Sequence, residues 1–311
     1  MAAIATGSGT ISRPKKIFPD RGARPLSREV FGRTFQNPVL LAAGTAGFGI
    51  EVVGVIDLTR LGGLVTKSVS LEPRHGNPAP RVAEFRGGML NSVGLANPGV
   101  AFAVRSPVPE AVALAHPAQV IVSVVGFTLD EYARVVESVA AVPGVAAVEL
   151  NLSCPNTAEG GVEFGAEARS VAAVVAGCRR ATEVPLVAKL SPAVPDPGHL
   201  AQAAVEAGAD GITVVNTMPG RLLGAGGGSR LGSERGGVSG PALLPVGLEA
   251  VRSVVDRVGS VPVIGVGGVR TAADVRQYLR AGACLVAVGT AALADPRLPE
   301  RLVGELVASG A

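Results

Sequence analysis

The 311-residue sequence predicts a (β/α)8 TIM barrel with inserted loops after strands 2 and 6. Three observations carry that reading. Eight short apolar runs recur along the chain, each ending in glycine or polar residues. Stretches with helical spacing lie between most of them. The open doubly wound sheet, the other candidate, usually places Gly-x-Gly-x-x-Gly after its first strand, and "AAGTAGFG" lacks that spacing. Near-continuous Val/Ile/Leu runs are what parallel strands buried on both faces look like, and their alternation with helices closes naturally into a barrel. The length is long for an average domain but ordinary for such a barrel. Aromatic residues make up 3% of the chain and there is no Trp, so the core must be Val, Leu, Ile and Ala.

Residues 1–35 read as an irregular N-terminal leader, because Pro14, Pro19 and Pro25 interrupt any helix. The barrel occupies 36–311. Its strand runs are "NPVLLAAG" (37–44), "GGLVTKSV" (62–69), "QVIVSVVG" (119–126), "AAVELNLS" (146–153), "PLVAKLSP" (185–192), "GITVVNT" (211–217), "VPVIGVGG" (261–268) and "CLVAVGTA" (284–291). Helices are expected over 128–142, 165–182, 196–210, 243–258 and 271–283. Thr128 is a natural N-cap with acids in the first turn behind it. Two helices end in Ala-Gly-Ala, where glycine suits the left-handed position. Residues 70–118 and 218–240 are insertions, the second holding "GAGGGSRLGSERGGVSG". Loops of that length are functional or disordered.

Net charge is +3 and the pI about 9.0. The only dense basic cluster, Arg13-Pro14-Lys15-Lys16, reads as part of a solvated leader, so no nucleic-acid surface is expected. The mild positive balance favours anionic small molecules. Three cysteines, at 154, 178 and 284, argue against a disulfide framework and against an iron–sulfur cluster within the chain. No apolar leader or membrane-length run is evident, so the expected compartment is the cytoplasm.

The polar residues that end the strands should share one rim, because barrel active sites form at the carboxyl ends. They are Lys67 and Ser68, Asn151 leading to Cys154 and Asn156, Lys189, Asn216 and Thr217, Gly267 and Gly268, and Gly289 and Thr290. Singly, each has a plain reading: a lysine reaching water, an asparagine forming a turn, a packed thiol. Cys178 inside a helix and Cys284 at a strand start read as inert core thiols. Together the strand-end groups suggest a site. The glycines after strands 7 and 8 let backbone N–H groups approach a phosphate. Two lysines and three amides suit a flat, hydrogen-bonding heterocycle, such as a phosphate-tethered flavin whose reduced ring a nearby cation stabilises.

At this level the sequence resembles class 1 dihydroorotate dehydrogenases, most closely subclass 1B. The resemblance rests on "TKSVSLEPRHGNPAPRV", "GGMLNSVGLANPG", "NLSCPN" and "GGVSGPALLP", in that order, and spans about residues 36–305. It implies FMN-dependent oxidation of (S)-dihydroorotate to orotate in de novo pyrimidine biosynthesis. By that resemblance Cys154 is the base that removes the C5 proton while hydride leaves C6 for flavin N5. Class 2 enzymes have Ser at this position. Pro155 and Gly160-Gly161 would frame a closing loop. Lys67, Asn91, Val93, Gly94, Leu95, Asn151, Asn156, Asn216 and Thr217 match substrate-binding positions. Ala43, Lys67, Ser68, Asn151, Lys189, Val215 and Gly240 match flavin contacts, and Gly267, Gly268, Gly289 and Thr290 the phosphate cradle. No metal is implied. The resemblance implies a homodimer at the centre of a heterotetramer, whose electron-transfer subunit carries FAD and a [2Fe–2S] cluster and reduces NAD.

This sequence departs from the family pattern in places. Ala43 stands where Ser is frequent, and Ser123 where an Asn beside the flavin is common. The 221–235 segment is unusually rich in glycine. Other readings are a related flavin barrel acting on another dihydropyrimidine, a non-catalytic barrel binding a phosphorylated ligand, and a structural subunit whose partner does the chemistry.

Overall fold

The computed structural model describes residues 26–152 and 164–309. Eight parallel strands close into a barrel: β1 (Val39–Leu41), β2 (Gly63–Val65), β3 (Gln119–Val124), β4 (Val145–Asn151), β5 (Leu186–Leu190), β6 (Gly211–Val214), β7 (Val263–Val266) and β8 (Leu285–Val288). Seven strands fall within their expected runs, and β4 begins one residue before its run. Neighbours in sequence are neighbours in the sheet, and β8 returns to β1 with Val286 beside Val39.

Side chains alternate across this sheet, so each strand serves two cores. Val39 and Leu41, Val148 and Leu150, and Ile212 and Val214 pack outward in the large cluster that the helices cover. Leu40, Val65, Ile121, Ala147, Val187, Ile264 and Leu285 fill the interior. The helices run over Pro107–Ala115, Leu129–Ala140, Ala168–Arg179, Pro197–Glu206, Leu244–Val258, Ala272–Ala281 and Leu298–Ala308. Thr128 caps its helix by accepting from the Glu131 N–H, and Thr271 and Asp274 form a capping box. The first crossover differs: it has two 3-10 turns, Ile50–Val52 and Leu58–Arg60, and no α-helix. Gly47, Gly49 and Gly54 all take positive φ there, which breaks helical continuity.

Residues 28–35, expected to be irregular, are a β-hairpin, Arg28–Val30 paired with Arg33–Phe35. The error came from reading the leader through to the first apolar run. The turn residues Phe31 and Gly32 both have positive φ, as a two-residue primed turn requires. Val30 and Phe35 join the interior cluster, and Phe31 and Phe35 pack against Gly211 and Gly63 at the starts of β6 and β2. The hairpin thus plugs the amino end of the barrel.

The two insertions meet at the other end. Val82–Phe85, Gly88–Asn91, Gly236–Ser239 and Met218–Gly220 form a four-stranded antiparallel sheet, with Ala83, Leu90 and Leu231 as a small core of their own. Glycine is needed at this seam: a Cβ on Gly237 would lie 2.0 Å from Thr217 Oγ1.

The chain's two tyrosines, both fully buried, reach from helices to carbonyls at strand ends. Tyr132 donates to Asn151 O at 2.6 Å and meets Phe164 edge-on. Tyr278 donates to Gly267 O at 2.7 Å and lies over Gly265, where a Cβ would come within 2.4 Å of its ring. Tyr278→Phe leaves the Gly267 carbonyl short of this donor in a buried setting. We expect it to destabilise the fold by about 1 kcal/mol, read as a lower midpoint in urea unfolding.

Candidate active site

The carboxyl ends of the strands and the antiparallel sheet enclose a cavity of about 1170 Å³. Ligand pockets typically measure about 300–1,000 Å³, so this one has room for a cofactor and a small substrate together. Every candidate residue in the described part of the chain lines it: Ala43, Lys67 and Ser68; Asn91, Val93, Gly94 and Leu95; Asn151; Lys189; Val215, Asn216 and Thr217; Gly240; Gly267 and Gly268; Gly289 and Thr290. Cys154 and Asn156, with the Pro155 and Gly160-Gly161 frame, lie outside the described residues.

Three regions of the wall differ in chemistry. Beyond β7 and β8, Gly267 and Gly268 take φ of 125° and 73°, and Gly289 N-caps the short helix Thr290–Ala294. A Cβ on Gly268 would sit 2.5 Å from the Leu244 amide nitrogen, so only glycine fits. A Cβ on Gly289 would meet protein only at 3.7 Å or beyond, and would instead intrude on the cradle. This is a surface of bare backbone facing open space, suited to an anion.

The rim opposite is built by the first insertion. Gly94 and Leu95 have φ of 74° and 57°, a conformation strained for leucine. It is held from several sides. Asn77 N donates to Val93 O, Asn77 Nδ2 donates to Ser92 Oγ at 2.7 Å, and Asn97 Nδ2 donates to Leu95 O at 2.8 Å. Arg81 Nε donates to Asn77 O at 2.6 Å, and Arg74 pairs with Asn97 and stacks over Phe127 at 4.4 Å. The "EPRHGNPAPR" stretch therefore shapes the 92–95 loop. Asn77, Arg74 and Phe127 also line the cavity, and the sequence reading had not selected them as site residues.

A hydrogen-bonded chain crosses the floor, and its polarity is fixed from one end. The Thr217 backbone N–H can only donate, and it donates to Asn216 Oδ1 at 2.8 Å. Asn216 Nδ2 then donates to Asn151 Oδ1 at 3.2 Å, and Asn151 Nδ2 to Ser68 Oγ at 3.2 Å. Ser68 Oγ lies 2.9 Å from Ser123 Oγ. Ser123 is wholly buried, and Ser68 is the one partner of its hydroxyl among the described residues. A buried hydroxyl without an acceptor is costly, so Ser123 donates and Ser68 keeps its own hydrogen for the cavity. The shorter side chain at 123 thus takes part in the site at one remove.

Sequence reading also missed Glu149. It is 1% exposed, accepts from the Thr213 hydroxyl at 3.0 Å and lies 3.5 Å from Lys189 Nζ. Its signal was present: it stands two residues before Asn151, on the same face of β4. Cys178 and Cys284 match their inert reading. Burial pushes the Cys178 thiol up to about 12, and burial pushes Cys284 up to about 11.

The fold and the site define a (β/α)8 barrel enzyme with a polar cavity at the carboxyl ends and a glycine cradle beyond its last two strands. Comparison with known proteins is specific. Residues 25–309 match the family model for dihydroorotate dehydrogenase. The chain is 46% identical over 281 residues to the dihydroorotate dehydrogenase B (NAD(+)) catalytic subunit of Desulforudis audaxviator, covering 89% of this chain and 90% of that one. It is 42% identical over 284 residues to the Geobacter sulfurreducens protein of the same description, covering 90% and 92%. The chain belongs to the dihydroorotate dehydrogenase family. The crystal structure of the Eimeria tenella enzyme in complex with ferulenol superposes with a TM-score of 0.76 over 94% of this chain and 87% of that one; at 24% identity the likeness is one of fold.

Asn216→Asp tests the polarity of the floor. An aspartate still accepts from Thr217 but cannot donate to Asn151, whose amide must turn over and draw the Ser68 hydrogen away from the cavity. We expect a folded protein with FMN affinity reduced roughly tenfold or more, about 1.4 kcal/mol, measured by titrating FMN into the apoprotein. The two thiols, Cys178 buried and Cys284 partly buried, give a second test, since the thiolate is the reactive form. Cys178 and Cys284 should resist iodoacetamide at pH 8 in the native protein and react in denaturant, as read by peptide mass spectrometry.

Proposed function

We propose that this chain is a catalytic subunit that oxidises (S)-dihydroorotate to orotate with bound FMN, in pyrimidine biosynthesis. The observation that carries this reading is the convergence of the strand-end residues and both insertions on one cavity large enough for two ligands. The residues fit FMN. The glycine cradle at 267–268 and 289–290 would take the phosphate, with Ala43, Val215 and Gly240 along the backbone path to it. Ser68 offers a hydroxyl donor, Asn151 an amide, and Lys189 a cation at the floor, as a hydrogen-bonding ring edge requires. Bound FMN supplies a two-electron hydride acceptor.

The rest falls to this chain's own side chains. Lys67 and the backbone of Val93, Gly94 and Leu95 would receive the substrate carboxylate, for which a cation and exposed N–H groups are the natural partners. Asn91, Asn151, Asn156, Asn216 and Thr217 would orient the pyrimidine edge. Cys154 would take the C5 proton as its thiolate, and the loop that carries it would exclude water on closing. The relatives are described as NAD(+)-linked catalytic subunits. That description supports a partner that delivers electrons to NAD, with FAD and a [2Fe–2S] cluster in it, around a homodimer of this chain. No helix among the described residues is long and apolar enough to cross a membrane, in keeping with a cytoplasmic enzyme.

Anaerobic mixing with (S)-dihydroorotate tests the assignment directly. The purified chain should arrive yellow, bleach on mixing and form orotate; a yellow protein that stays oxidised would point to another substrate. Cys154→Ser should keep FMN and slow that bleaching by about 100-fold or more near neutral pH, the usual scale of a lost general base. Unchanged stopped-flow kinetics would move the proton acceptor elsewhere.

A further inference from the structure

Glu149 and Lys189 are the only charged residues among the buried ones in the described chain. They face each other inside the barrel. Glu149 Oε2 accepts from the Thr213 hydroxyl at 3.0 Å, which anchors the carboxylate across the interior from β4 to β6. Its Oε1 is fully buried and has no hydrogen-bond partner, yet stands 3.5 Å from Lys189 Nζ. Lys189 is level with Asn151 on one side and Thr213 on the other, and it lines the cavity. Glu149, two residues before Asn151 on the same face, sits one layer deeper and outside the cavity lining. Val187 lies level with it on β5, and the layer below is apolar: Val65, Ile121 and Ala147.

A carboxylate in such a place needs a cation beside it, whereas the ammonium also faces the cavity. Lys189 supplies that cation, and the carboxylate presents the ammonium to the cavity from a fixed point. We propose that Glu149 is a positioning residue for Lys189: it holds the ammonium at the floor and offsets part of the positive charge that the bound ring meets. This rests on the FMN reading above. Glu149 touches neither ligand and acts only through Lys189, so it should tune the flavin without contacting it.

The test is the midpoint potential of bound FMN in four holoproteins: wild type, Glu149→Gln, Lys189→Met and the double variant. Glutamine keeps the Thr213 bond and removes the charge. Glu149→Gln should shift the potential upward, because the ammonium is no longer offset and favours the anionic reduced ring. Lys189→Met should shift it downward. In the Lys189→Met background, Glu149→Gln should give no further shift, because Glu149 reaches the ring only through the ammonium that this background lacks. Equal shifts in both backgrounds, or none in either, would overturn the proposal. If Glu149→Gln alone does not fold, the double variant, which removes both charges, should restore a folded yellow protein. A double variant that also fails to fold overturns the pairing. A wild-type chain that takes up no FMN would overturn the cofactor reading and this one with it; a yellow wild type with equal shifts overturns this one alone.

Discussion

Closure of the parallel sheet is the constraint on which the rest of this protein depends. Eight strands with both faces buried leave no room for polar side chains along most of their length, and the interior is accordingly Val, Leu, Ile and Ala. Chemistry can emerge only where the strands end. The strict period of two then decides which residues reach the interior. Val187 and Lys189 share a face, as do Ile121 and Ser123, and Ala147, Glu149 and Asn151. Each of these strands passes from apolar to polar on its inner face within two or four residues. The cavity floor is that crossover, repeated around the ring.

Such a floor has to be held still, and two devices hold it. One is the pair of tyrosines, which fix the carbonyls of Asn151 and Gly267 from outside the sheet. They stand at the end of the strand leading to Cys154 and at the strand forming the glycine cradle. The other is the chain of amides and hydroxyls from Thr217 to Ser123, which ties the carboxyl ends of β6, β4, β2 and β3 together. Because its direction is set by a backbone N–H, the floor presents a donor at Ser68 with no freedom to reverse. Preorganisation of this kind avoids reordering dipoles when a ligand binds.

Much of this could be read in the sequence, for identifiable reasons. A buried parallel strand advertises itself as an apolar run, and all eight did. The cap at Thr128 and glycines at 208 and 282 marked helix ends because each has a local chemical cause. What could not be read was non-local. Nothing in Arg28–Phe35 shows that a hairpin will plug the amino end, because that depends on the gaps left by Gly63 and Gly211. The two insertions, 146 residues apart in sequence where Asn91 meets Gly237, pair only because the barrel brings the ends of β2 and β6 to one mouth. Glu149 was passed over for a different reason. An acid inside an apolar run reads as an exception until its partner is known, and Lys189 is forty residues away on the next strand.

The glycine-rich 236–240 stretch shows how the same economy governs the lid of the cavity. Gly236 leaves room for the Asn91 carbonyl, Gly237 for Thr217, and Gly240, at φ of 107°, for the backbone at Gly88. A side chain at 237 would press on Thr217 at the barrel end, and one at 236 or 240 would push apart strands of the sheet itself. The 221–235 segment lies between these contacts and the other strand of the same hairpin. Its glycines 226, 227 and 228 meet nothing that excludes a Cβ. Composition alone therefore does not separate the two sets. Glycine at 236, 237 and 240 is imposed by close approach, at 237 to the barrel end and at 236 and 240 within the sheet. Glycine at 226 and 228 is under no such steric demand, whereas Gly227, at φ of 80°, is fixed by its backbone conformation.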